Sequence, residues 1–161
     1  MCEPHSCGIL YIMEWRYIAG FFDGEGSLGH NGKGFRITIS QTNIEVLSAI
    51  QRYCGVGDII EITKRKPHWK DSWVYYISTQ KEVYYFLQKI KPWVIVKRSR
   101  VRHVLDELRE YLKRITIRKR LVKKLAERSI RLRHRGLTYR EIGRRVAADH
   151  SYIRRLIMKN S

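Results

Sequence analysis

Three scarcities narrow what this chain of 161 residues can be. It has only three cysteines, Cys2, Cys7 and Cys54. An odd and sparse set does not build the disulfide framework of a small secreted domain, and it points to an intracellular chain. It has no apolar run long enough to span a bilayer. Its N-terminus lacks a basic segment followed by an apolar one, which argues against a signal peptide. Acidic residues are also scarce, with 15 Asp+Glu against 33 Lys+Arg and a net charge of +18. No long internal repeat or low-complexity segment appears.

The charge is unevenly placed. Residues 1–96 hold 11 Lys+Arg and 9 Asp+Glu, a net of +2, while residues 97–161 hold 22 and 6, a net of +16. So dense a charge of one sign repels itself unless a polyanion covers it, and nucleic acid is the natural partner. An anionic membrane fits less well, because the basic segments also carry core-forming apolar positions. A merely solvated surface would mix signs into ion pairs.

The length allows one domain or two small ones. Residues 14–25 read as a helix entering a glycine-rich acidic turn. Ser27–His30 and Phe35–Gln41 read as strands around the turn Asn31-Gly32-Lys33-Gly34. Ile44, Leu47 and Ile50 give a helix over Ile44–Tyr53, stopped by Gly55-Val56-Gly57. Asp58–Thr63 and Trp73–Ser78 form a second hairpin. Val83, Phe86, Leu87 and Ile90 give a further helix, ended by Pro92. Val101, Val104, Leu105, Leu108 and Leu112 follow as a long amphipathic helix. The order α-β-β-α-β-β-α predicts an α+β fold, with one four-stranded sheet packed on helices by one face.

Residues 115–161 read as a separate helical unit. One helix spans about Ile117–His134 and closes at Gly136. Thr138-Tyr139-Arg140-Glu141 is a capping-box pattern opening a short helix. Ala147-Ala148-Asp149 forms a turn, and Asp149 caps a last helix with Ile153, Leu156 and Ile157 inward. The spacing resembles a helix-turn-helix DNA reader that would present His150, Ser151, Tyr152, Arg154 and Arg155 to a groove.

The chemistry centres on Ile18-Ala19-Gly20-Phe21-Phe22-Asp23-Gly24-Glu25-Gly26-Ser27. Small residues let another helix approach closely, and Gly24 and Gly26 let the chain turn out sharply beside Glu25. One carboxylate per chain is a poor Mg²⁺ site. Two such helices packed across a two-fold axis would bring two Glu25 side chains to adjacent sites, which predicts a symmetric homodimer. Ile18, Ala19, Gly20 and Phe22 are its expected interface residues. Asp23 is expected to make hydrogen bonds within the fold or interface rather than bind metal.

This stretch resembles the signature of the LAGLIDADG homing endonucleases, and further landmarks follow in order over residues 14–112. They are Ser40-Gln41-Thr42, Gly55-Val56-Gly57-Asp58-Ile59 and Leu87-Gln88-Lys89-Ile90-Lys91-Pro92-Trp93, followed by Lys97. The resemblance implies an αββαββα endonuclease domain over residues 14–114, after a tail of residues 1–13. Its sheets would form a saddle on the DNA major groove. Both strands would be cleaved across the minor groove, leaving short 3′ overhangs in a long, roughly palindromic target. It further implies Mg²⁺, with Mn²⁺ as a substitute, and an intron-encoded gene. Glu25 matches the metal-binding carboxylate, and the Gly24 carbonyl matches a backbone ligand. Gln41 and Lys97 match residues that organise active-site water. The family more often has Asp at the Glu25 position. A basic helper often stands where this chain has Glu45.

Base contacts are expected from outward strand and turn residues: Asn31, Lys33, Arg36, Thr38, Ser40, Thr63, Arg65, Ser72 and Tyr76. Strand parity is clear for 35–41 but not for 58–65, where Ile59, Ile60 and Ile62 break the alternation. Cys2, His5 and Cys7 suggest zinc, yet a structural site needs four ligands and no fourth is near. A local disulfide or a frayed tail accounts for them better. The expected partners are double-stranded DNA and a second copy of the chain, with no membrane. The expected setting is the prokaryotic cytoplasm, with an organelle as the alternative. Two other functions share these residues: a DNA-binding regulator that does not cleave, and an RNA maturase.

Overall fold

The computed structural model describes residues 13–30, 32, 34–62, 68 and 70–160. The chain divides into two compact units, Met1–Glu110 and Tyr111–Ser161. The first unit contains α1 (Trp15–Glu25), β1 (Gly26–His30), β2 (Phe35–Gln41), α2 (Ile44–Cys54), β3 (Asp58–Ile62), β4 (Ser72–Ile77) and α3 (Gln80–Ile90). Helix α4 (Arg98–His134) begins in this unit and continues into the second, which also holds α5 (Tyr139–Val146) and α6 (His150–Asn160).

The four strands form one antiparallel sheet in the order β1-β2-β4-β3. On β2, Phe35, Ile37 and Ile39 are buried while Arg36 and Ser40 are exposed, as a period of two requires. The register carries this alternation across the sheet, since Ile37 faces Ile77 and Ile39 faces Tyr75. These residues join Ile18, Phe22, Leu47, Ile50, Phe86 and Leu87 in one core, together with Val101, Val104, Leu105 and Leu108 of α4. Trp15 anchors the start of α1 by edge-on contacts with Tyr53, Tyr85 and Phe86.

Local chemistry sets the ends of the elements. The Asn43 side chain accepts from the Glu45 and Val46 N–H groups and caps α2. Glu45 thus sits in the first turn of a helix, where the dipole favours a carboxylate. At Gly57, φ is +80°, and a Cβ there would meet the Tyr75 ring and the Tyr76 carbonyl at 2.8 Å. The Tyr75 hydroxyl donates to the Val56 carbonyl at 2.7 Å, so this ring fixes the turn into β3. Burial pushes the neighbouring Cys54 thiol up to about 12, leaving it protonated and inert at neutral pH. The Gln80 amide accepts from Phe35 N–H at 2.9 Å and donates to the Phe35 carbonyl at 2.8 Å, pinning the first hairpin to α3.

Two readings from the sequence differ from the structure. The runs Val101–Leu112 and Ile117–His134 form one continuous helix. The β-branched stretch Ile115-Thr116-Ile117 does not break it, because β-branching lowers helix propensity only slightly, and the Thr116 hydroxyl is satisfied within the helix by donating to the Leu112 carbonyl at 2.8 Å. Ile18, Ala19 and Phe22 are fully buried in the core of their own unit, so they are closed to a second copy. The open side of α1 is instead Tyr17, Gly20 and Gly24, together with Phe21, which is half-buried against the core, at helical spacing i, i+3, i+4 and i+7.

In the second unit, Ile142, Ile153 and Ile157 form a small core with Ile130, Leu137 and Val146 around it. The Thr138–Glu141 capping box is complete. Asp149 Oδ1 accepts from the Ser151 and Tyr152 N–H groups and caps α6. Gly143 is required by packing, since a Cβ there would lie 2.7 Å from the Ala148 carbonyl. Among the described residues, no helix is long and apolar enough to cross a membrane.

Candidate functional site

The two carboxylates of the glycine-rich turn have separate tasks. Asp23 Oδ2 accepts from Ile95 N–H at 2.6 Å and Val96 N–H at 3.1 Å, and its Oδ1 accepts from Lys97 N–H at 3.1 Å. Burial pushes the Asp23 carboxyl upward. The backbone donors of Ile95, Lys97 and Val96, with the Lys97 charge, outweigh that and hold it below the usual carboxylate range. Asp23 is therefore spent on the turn before α4. Glu25, the last residue of α1, is exposed, and nothing among the described residues bonds its carboxylate.

Lys97 is tied to the same helix end. Its ammonium donates to the Phe22 carbonyl at 3.2 Å and to the Asp23 carbonyl, and it lies 5.6 Å from the Phe22 ring centroid. A cation suits these carbonyls, which close the C-terminal end of the helix dipole. Gln41 ends β2, two residues beyond the Ile39 that pairs with Gly26 at the start of β1. Its Oε1 accepts from Thr42 N–H at 2.8 Å, which leaves the amide NH₂ as a donor. Lys97 is thus bonded to the end of α1 that carries Glu25, and Gln41 stands two residues along β2 from the partner of Gly26.

Gly26 is sterically required there, because a Cβ would lie 2.3 Å from Phe22 Cδ2. Gly20 and Gly24 are not. A Cβ on either meets nothing within 4 Å among the described residues. Each glycine inside a helix costs about 1 kcal/mol relative to alanine, and nothing among the described residues uses the space. Tyr17 and Phe21 stack beside them with centroids 5.9 Å apart. Ile95 and Val96, held by Asp23, are 75% and 77% exposed next to this helix end. The spacing of Tyr17, Gly20, Phe21 and Gly24 was the sequence signal for this face.

The free sheet face carries the expected strand residues. Arg36, Thr38 and Ser40 alternate outward on β2. Tyr76 pairs with Thr38 and shares its side, and Ser72 lies on the same side of β4. Asn31, Lys33, Thr63 and Arg65 lie outside the described residues, as do Cys2, His5 and Cys7. On α6, His150, Ser151, Tyr152, Arg154 and Arg155 are all exposed. All of these except Tyr152 line a cleft of about 620 Å³ with Arg140 and Thr138. No three His, Cys, Asp or Glu residues converge among the described residues. The donors at the turn are oxygens, a hard set suited to Mg²⁺ or Mn²⁺, but one chain supplies too few.

A mixed α/β unit with one four-stranded antiparallel sheet and a carboxylate at the end of a glycine-bearing helix defines the class. Residues 13–91 match the LAGLIDADG-like domain family. Among solved structures, it is similar to the LAGLIDADG meganuclease I-AabMI bound to uncleaved DNA, with a TM-score of 0.52 and 18% identity. That match covers 73% of this chain and 44% of the other, so this chain matches less than half of that protein. It is also similar to the homing endonuclease I-CvuI in complex with a DNA target, with a TM-score of 0.46 and 20% identity over 59% of this chain and 65% of the other. An archaeal intron-encoded homing endonuclease complexed with DNA gives a TM-score of 0.45 and 21% identity over 90% and 94% of the two chains. No curated protein matches the sequence.

Proposed function

We propose that the protein is a homodimeric, divalent-metal-dependent, site-specific DNA endonuclease of the intron-encoded homing type, whose second unit is a helix-turn-helix that adds DNA contacts. The observation that carries this reading is the division of labour at the end of α1. Asp23 is consumed by three backbone donors, while among the described residues nothing bonds the Glu25 carboxylate and nothing fills the space beside Gly20 and Gly24. A second α1 packed along Tyr17, Gly20, Phe21 and Gly24 would fill that space and bring two Glu25 carboxylates together. Glu25 and the Gly24 carbonyl would hold the ion, with Mg²⁺ or Mn²⁺ suited to such oxygens. When bound, the ion would polarise a phosphate oxygen and acidify a water. Gln41 would orient that water through its NH₂, and Lys97 would hold the turn and place positive charge beside it. Two such sites related by two-fold symmetry would cut both strands, and the resemblance to the homing endonucleases implies short 3′ overhangs.

The direct test is incubation of the protein with mixed-sequence duplex DNA and Mg²⁺. Nicking or cutting that requires the ion supports the reading. Binding without cutting at any salt or temperature would make the protein a regulator of the same fold. A preference for structured RNA over duplex in competition would favour the maturase reading.

Two further results are expected. Gly20→Leu should convert the dimer to monomer by mass in solution and abolish double-strand cutting. Gly20→Ala should raise the thermal stability of the monomer, since alanine favours the helix by about 1 kcal/mol. A Gly20→Leu protein that stays dimeric would remove α1 from the interface. Arg154→Ala combined with Arg155→Ala should lower the salt dependence of duplex binding by about two units of log-log slope, near 0.9 for each lost phosphate contact. An unchanged slope would mean that α6 does not touch phosphate.

A further inference from the structure

The outer sheet face is not uniformly polar. Its register forms a grid: Ser27, Thr38, Tyr76 and Asp58 lie in one row, Ser40, Val74 and Ile60 in the next, and Ser72 and Ile62 in the last. Ile60 and Ile62 are 51% and 39% exposed. Val74, beside Ile60, is absent from the residues packed on the core. Three branched apolar side chains therefore form a patch on edge strand β3 and its neighbour, bordered by the small hydroxyls of Ser40 and Ser72. Burying these residues against the helices would need only the opposite parity, and the buried Tyr75 between Val74 and Tyr76 rules that parity out.

The sequence joining the two strands says what covers the patch. Residues 63–71 contain Lys64, Arg65, Lys66 and Lys70 against a single acid, Asp71. An apolar patch continuing into a cationic segment matches a polyanion that presents methyl groups, as the major groove does at each thymine C5. We infer that Ile60, Ile62 and Val74 read thymine methyl groups, so that this part of the target is thymine-rich. This rests on the outer sheet face being the DNA-facing surface. Arg36, Thr38 and Ser40, in the half of the sheet nearer β1, are left for hydrogen-bonded readout.

The test uses the full-length protein and randomised duplex pools made with either thymine or uracil, which differ only in the methyl group. After selection on the thymine pool, replacement of thymine by uracil should weaken binding about fourfold for each methyl contacted, the effect of removing one buried methyl from water. Ile60→Ser combined with Ile62→Ser should lose most of the thymine preference, leaving only the share of Val74, with its thermal melting unchanged because these side chains are outside the core. Equal binding of the two pools by the unaltered protein would overturn the inference while leaving duplex binding established. Loss of all duplex binding would overturn it together with the proposed function. Two outcomes would assign the patch to another occupant and also overturn it: a change of oligomeric mass in the double variant, or flotation with anionic phosphatidylserine vesicles that the double variant loses.

Discussion

Glu25→Gln is expected to reduce DNA cleavage by about a thousandfold or more while leaving duplex binding intact. The substitution keeps the size of the side chain and its exposed position at the end of α1. It removes the charge, and with it the one carboxylate at the junction of α1 and β1 that is free among the described residues. Loss of a metal ligand withdraws several kcal/mol of charge stabilisation from the transition state. Under the proposed function, binding to DNA would draw instead on the sheet face and the basic second unit, neither of which contains Glu25. Retained cutting by this variant would remove Glu25 from the chemistry. Loss of binding along with cutting would give it a structural task.

Asp23→Ala should have the largest effect on stability, lowering the unfolding free energy of the first unit by about 2 kcal/mol. It orphans the N–H groups of Ile95, Val96 and Lys97, which converge on this carboxylate. The upper range for charged hydrogen bonds is discounted because the site is partly solvated. The loss is measured by chemical denaturation, and an unchanged midpoint would contradict it. The pH dependence follows with a fixed sign. The folded state holds the Asp23 carboxyl below its ordinary range. Its contribution is therefore complete above the unfolded value near 4 and fades as pH falls through the lower folded value. The alanine variant should lose this part of the acid sensitivity. Asp23→Ala should also slow cleavage by releasing the turn that carries Lys97, whereas Glu25→Gln should leave stability unchanged. The two acids are thereby separable by experiment.

Much of this architecture was legible in the residues. The alternation over Phe35–Gln41 gave the buried and outward faces of β2 directly, and the capping box at Thr138 was read at its true position. The faces of α1 were not legible. Both sides of that helix carry small or apolar residues, so periodicity alone could not separate the core side, Ile18, Ala19 and Phe22, from the open side, Tyr17, Gly20, Phe21 and Gly24. The outward face of β3 was hidden for a similar reason, since Ile60 and Ile62 are apolar without being core. The continuity of α4 was missed because β-branched residues weaken a helix only modestly, and the bond from Thr116 to Leu112 holds there. The grouping of Gln41 and Lys97 with Glu25 rested on family likeness alone; the structure adds the bonding of Lys97 to the α1 carbonyls and the register of β2 beside Gly26.

The central claim is that paired Glu25 carboxylates cut both strands of a duplex. It is tested most directly by selecting cleaved products from a randomised duplex library with the full-length protein and Mg²⁺, and sequencing both ends of each break. The account predicts paired breaks with short 3′ overhangs, centred on a roughly two-fold symmetric sequence, and none with Glu25→Gln. Duplex molecules that are bound but never broken, or breaks that persist in the glutamine variant, would contradict it.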